Sequence, residues 1–174
     1  YPGSTAMNAM VANLAANRWQ RYGGAIVLHR GTLTRDERWR VALINAGPGS
    51  VLAALTAAEL LGLRGWTRND IHVLGPRGAV LAAGHGLPIV LHRTRSWPPR
   101  RAGTLACQAL PEALVLAAGT FPNPRPGCGL LAAAVQQRLI PASALRTALD
   151  AASRVRHRAD LVLAVADIGG GADA

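Results

Sequence analysis

Lysine is absent from this chain: all 19 basic residues are arginine, set against 9 acids, for a formal charge of +10. The common metal-dependent nuclease centre sets two acids beside a lysine on adjacent strands, so its ordinary form is excluded. The acids are Asp36, Glu37, Glu59, Asp70, Glu112, Asp150, Asp160, Asp167 and Asp173. Most fall at expected helix starts or on helix faces, where capping and solvation account for them. Long apolar runs are missing too. Stretches such as Ala113 to Ala118 are far below the 18 or so residues that a membrane helix needs. The opening "YPGSTAMNAM" has neither the basic start nor the apolar centre of a signal peptide, and residues 1–9 read as a vector-derived leader. The two cysteines, Cys107 and Cys128, form no CxxC pair and have no histidine at ligand spacing. They are expected as buried thiols of a cytoplasmic protein, with no zinc site. No GxSxG, no lysine-bearing phosphate loop and no GxGxxG after a strand is present, so no catalytic residue and no cofactor is expected.

What is there is a half-hydrophobic chain of 174 residues, enough for one medium domain. GC-rich coding explains arginine in place of lysine, but not the excess of base over acid. A strongly basic small domain suits a polyanionic partner, and guanidinium grips phosphate bidentately and stacks on bases.

Periodicity and punctuation predict an α+β order. A helix is expected from Met10 to Trp19, broken by Gly23–Gly24, with a buried strand over 25–29. Thr34 is placed to cap a helix whose first turn holds Asp36 and Glu37. "NAGPGS" (45–50) ends it, and a second helix is expected over 51–62. Strands are expected over 70–76 and 86–95, 104–110 reads as a third strand or as a loop leading into the next helix, and "FPNPRPGCG" (121–129) reads as a loop. Helices then follow from about 111–118, 130–139, 142–152 and 157–167. The expected layout is one compact domain over 10–168. It has a wing-like element at 10–33, a helical hairpin at 34–66, a small antiparallel sheet within 70–110 and a helical part at 111–168, with a flexible tail at 169–174.

Three basic clusters stand out. Arg18, Arg21 and Arg30 surround Trp19 and Tyr22. Arg93, Arg95, Arg100 and Arg101 surround Trp97. "RVRHR" occupies 154–158. Contacts from such clusters are expected mainly to phosphate, salt-sensitive and weakly sequence-specific. His29, His72 and His92 fall on or beside strands and are the residues an enzyme reading would require to meet.

The segments Trp19 to Gly24, Ala46 to Gly65, His72–Val73 and Leu87 to Arg95, continued by "CGLLAAAVQQRLIPASALRTALDAA" (128–152), resemble an actinobacterial group. Its members join an AbiEi-antitoxin-like N-terminal region to a very-short-patch-repair-like endonuclease domain. The resemblance implies a partial winged-helix-like head and wing, and a regulatory or targeting part without the nuclease domain. On that footing the expected function is a non-catalytic, cytoplasmic, DNA-binding domain. It would contact duplex DNA through Arg18, Trp19, Arg21, Tyr22, Arg30, Arg93, Arg95, Arg100 and Arg101. The alternative is a protein-interaction domain docking an acidic partner, a toxin or the nuclease-like domain. A third reading is an enzyme of unknown class.

Overall fold

The computed structural model describes residues 2–95, 100–101 and 105–170, and its architecture is mixed α+β. Helix α1 (Pro2–Ala15) leads into a two-stranded antiparallel hairpin, β1 (Gln20–Tyr22) with β2 (Ala25–Val27). The helix expected to reach Trp19 therefore stops four residues earlier, and β1 was not anticipated. Gly23 makes the turn possible. Its φ is +58°, and a Cβ there would sit 2.2 Å from Asn45 Oδ1.

Helix α2 (Arg35–Ala46) starts as its sequence dictates. The Thr34 hydroxyl accepts from the Glu37 N–H, and the Glu37 carboxylate accepts from the Thr34 N–H, a complete capping box. The expected helix over 51–62 divides: Val51–Leu52 is a strand, β3, and only Ala54–Leu60 is helix, α3. The helical hairpin expected over 34–66 is thus two helices separated by a strand of the main sheet.

That sheet adds β4 (Ile71–Pro76), β5 (Ile89–Thr94), β6 (Arg100–Arg101) and β7 (Cys107–Gln108), in the order β5-β4-β3-β7-β6. It is mixed, not antiparallel as expected. β4 with β5 and β3 with β7 run parallel, while β3 with β4 and β6 with β7 run antiparallel. Ile71, Val73, Leu52 and Cys107 pack with Trp39, Ala42 and Ala46 of α2. Val51, Ala53 and Leu74 meet Leu116 on a helix introduced next.

Helices α4 (Leu110–Thr120), α5 (Pro124–Gln136), α6 (Ala142–Ala151) and α7 (Arg158–Gly170) complete the chain. With α3 they enclose the largest apolar cluster, including Leu114, Leu130, Leu131, Leu145, Leu149 and Leu161, all fully buried. The expected loop at 121–129 becomes helix from Pro124 onward, because prolines in the first turn forgo only N–H groups that have no intrahelical partner. Likewise α7 extends to Gly170, into the expected tail.

Candidate nucleic-acid interface

The hairpin sits along α2 and is fixed at both ends. At the turn, buried Asn45 donates through Nδ2 to the Tyr22 carbonyl at 2.9 Å and accepts the Gly24 N–H on Oδ1 at 2.9 Å. Its Nδ2 also reaches the Val41 carbonyl at 2.8 Å. At the open end, Gln20 Nε2 donates to the carbonyls of His29 (3.0 Å) and Gly31 (3.1 Å). The Gly31 N–H donates to His29 Nδ1, which leaves the ring proton on Nε2 to bond Glu37 at 2.7 Å. The Thr34 N–H, then His29, then the Thr34 hydroxyl, hold the Glu37 carboxyl down at about 2. Tyr22, Ala25 and Val27 supply the apolar contact, with Leu33, Val41 and Leu87. Of the strand expected over 25–29, Ala25 and Val27 face inward. Leu28 is 66% exposed, and Trp19, half-buried, belongs to none of the core clusters.

Alternation along β1 turns Tyr22 inward and Arg21 outward. Arg21 Nε donates to the Gly23 carbonyl at 3.1 Å, which lays its guanidinium against the turn. Exposed Arg18 donates to Asn13 Oδ1 at 2.7 Å. Arg30, also exposed, has no partner among the described residues.

The second expected cluster divides. β5 and β6 are opposite edges of the sheet, so Arg93 and Arg95 lie at one edge and Arg100 and Arg101 at the other. The side chains of Arg100 and Arg101, and all of Trp97, fall outside the described residues. Arg93, exposed, donates from Nε to the Ala79 carbonyl at 2.8 Å. Arg95 lies past the end of β5, exposed and without a partner among the described residues. The crossover 77–88 links this edge to the hairpin. Ala79 holds Arg93, the Ala82 N–H donates to the Asn45 carbonyl, and the Gly23 N–H donates to the Gly84 carbonyl. Arg21 and Arg93 therefore flank one short loop, while Arg18 and Arg30 occupy the hairpin's other end.

In the third cluster, Arg158 serves the fold. It donates to the carbonyls of Leu149 and Ala152 at the end of α6 and reaches Asp150 at 3.4 Å. Such bonds satisfy orphaned helix carbonyls.

The three strand histidines do not form one cluster. His29 belongs to the hairpin, whereas His72 Nδ1 and His92 Nε2 meet at 2.9 Å across β4 and β5 with nearly parallel rings. Burial, then the neighbouring His72, holds His92 down to about 4. Burial also lowers His72, against the opposing pull of Asp70. Both rings are neutral at pH 7. Among the described residues no three His, Cys, Asp or Glu side chains gather as a metal site would require. Cys107 and Cys128 are both thiols. Buried Ser50 donates its hydroxyl to the Ala46 carbonyl at 3.0 Å.

Three guanidiniums outside the expected set come together at the first turn of α2. Arg35 and Arg38, three apart on one helix face, meet Arg68 from the segment entering β4 around a cavity of about 210 Å³. The spacing "RDER" could have flagged the first two; Arg68 arrives only through the tertiary fold.

No family model matches this chain, and neither a curated protein nor a solved structure matches it. Among the described residues no helix is long and apolar enough to cross a membrane.

Proposed function

We propose that this chain is a non-catalytic, cytoplasmic DNA-binding domain of antitoxin-like or nuclease-targeting type. Its hairpin acts as a wing, and Arg18, Arg21, Arg30, Arg93 and Arg95 grip the phosphate backbone, with Trp19 and Tyr22 shaping the hairpin between them. One observation carries the reading. Among the described residues none of these five arginines makes an ion pair, whereas Arg35, Arg146 and Arg158 pair with Glu59 and Asp150. These five put part of the chain's surplus charge on the hairpin and the β5 edge, where a phosphate backbone would neutralise it. Arginines on a hairpin whose backbone is pinned at both ends suit backbone positioning better than base readout.

Binding to a duplex of about 20 base pairs, titrated with salt, tests this. Five phosphate contacts give a log–log slope of about −4 to −5. Replacing Arg21 and Arg30 with alanine lowers affinity on every sequence alike and reduces the slope by about 2. No binding at about 50 mM salt, where such contacts are strongest, overturns the reading.

A second reading, docking of an acidic protein partner on the same arginines, is favoured by α1. Among the described residues that helix adds nothing to the core clusters, and Val11, beyond the expected leader, is 55% exposed. Under that reading duplex DNA fails to bind, while an acidic protein binds and protects α1 from hydrogen exchange.

A further inference from the structure

The cavity beside the first turn of α2 has a charge arrangement that the fold leaves unfinished. Its floor is apolar, with Trp39 6% exposed and Ile71 2% exposed. Arg35, Arg38 and Arg68 line it, together with Glu59 and Asp70. Glu59 is already matched: its Oε1 accepts Arg35 Nη1 at 2.9 Å and the Thr67 hydroxyl at 3.2 Å. Arg35 also lies over the Trp39 ring, 5.8 Å from its centroid. Arg38 is held in place by neutral groups, Nη2 donating to the carbonyl and Oδ1 of Asn69 at 3.0 and 2.6 Å. That leaves its Nε and Nη1 hydrogens unspent. Arg68 has no partner among the described residues. Asp70 lines the same space, yet it pairs with neither Arg38 nor Arg68 among the described ion pairs. Two guanidiniums, Arg38 half-buried and Arg68 exposed, therefore face one cavity with donors unfilled.

We propose that this cavity binds a phosphate group, with Arg38 and Arg68 as its two principal donors and Arg35 closing the side over Trp39. A forked guanidinium matches the oxygen spacing of a phosphate, and two forks on one anion make a charge-assisted clamp. The site stands on side chains and does not depend on the hairpin binding DNA. The phosphate is carried either by a small phosphorylated compound or by the duplex backbone.

The test follows the Nε–H signals of Arg35, Arg38 and Arg68, and the Trp39 indole N–H, by NMR. Inorganic phosphate is titrated at constant ionic strength, and a duplex of about 20 base pairs is titrated separately. Saturable shifts confined to these groups are expected with phosphate. They should weaken about tenfold in Arg68→Ala, the loss of one charge-assisted contact. Non-saturating shifts, or the same curve for Arg68→Ala as for the parent chain, overturn the proposal. Arg38→Gln is the second variant, and unchanged saturation there overturns it equally. If the duplex moves the same four signals and phosphate competes, the phosphate is the duplex's. If the duplex leaves them unmoved while phosphate saturates them, the ligand is a free phosphorylated compound. A chain that fails to bind DNA but saturates with phosphate retires the wing reading and retains this site.

Discussion

Replacing Asn45 with alanine tests how the hairpin is held. The side chain is 2% exposed and makes three bonds of 2.8 to 2.9 Å, two of them to the hairpin turn. The Val41 carbonyl still accepts along the helix when the amide is lost, so that bond counts for little. The Tyr22 carbonyl and the Gly24 N–H lose their partner. At about 1 kcal/mol for each net bond, and more for a group left dry, the variant is destabilised by about 3 kcal/mol. The loss is local, because Asn45 lies outside the large helical cluster and the open end keeps its His29–Glu37 contact. Hydrogen exchange should therefore rise over 20–27 well before it rises in α4 to α6. Urea unfolding gives the global figure, and duplex affinity should fall several-fold as Arg21 loses its fixed backbone. Gly23→Ala should act alike, since its Cβ would meet Asn45 Oδ1 at 2.2 Å and the Ala83 carbonyl at 3.0 Å. A wild-type urea midpoint with unchanged exchange over 20–27 refutes the anchoring.

Acid should weaken the fold through the paired imidazoles. Folding holds His72 and His92 below 6.5, so their contribution is complete above about pH 6.5 and is lost as pH falls toward 4. The shift of His92 to about 4 corresponds to about 3 kcal/mol, read from urea midpoints at pH 7.5 and 4.5. His92→Phe should flatten that slope, and a parent chain equally stable at both values contradicts the pairing. Glu37 acts lower: its carboxyl is held at about 2 against an ordinary 4.5, so its contribution is full above pH 4.5 and lost between there and 2. Carboxyl NMR titration with a Glu37 midpoint near 4.5 would disprove the capping box in solution. Gln108→Leu removes the acceptor, at 3.0 Å, of the Ala54 N–H, on a buried residue with φ of +47°. It should cost about 1–3 kcal/mol in urea unfolding, and an unaltered midpoint would refute it.

Legibility in the sequence followed the range of the interaction. The capping box at Thr34 and Glu37 is local, and β4 carries its own β-branched signal, so both read directly. "VLAALTAAELL" carries no such local signal. It is mostly apolar and alanine- and leucine-rich, which suits a helix, and Val51–Leu52 is a strand only because Leu74, Val73 and Cys107 pair with it. The hairpin arginines were legible because glycines and aromatics frame them within a few residues. The splitting of Arg93 from Arg100 was not, since strand order in a sheet is no property of eight adjacent residues. Arg68 was hidden for the same reason: its companions are some thirty residues upstream.

The 12-residue helix α2 places both basic features. Its last turn holds the hairpin turn through Asn45, its first turn holds the open end through Glu37, and its remaining face presents Arg35 and Arg38 to the cavity. The turn is anchored by a neutral amide, and the α2 carboxylate that meets the hairpin's open end, Glu37, is spent on the Thr34 box and a histidine. No acid is therefore committed to Arg18, Arg21 or Arg30 among the described residues. Anchoring by ion pairs would have neutralised the charge it was positioning. From Arg38 to Asn45 the helix rises roughly 10 Å. A backbone that met Arg21 beside Asn45 and Arg38 near the helix start would run along about three nucleotides of a strand. The hairpin and the phosphate cavity thus make separable claims on one rigid ruler: disturbing Asn45 should loosen the first and leave the second intact.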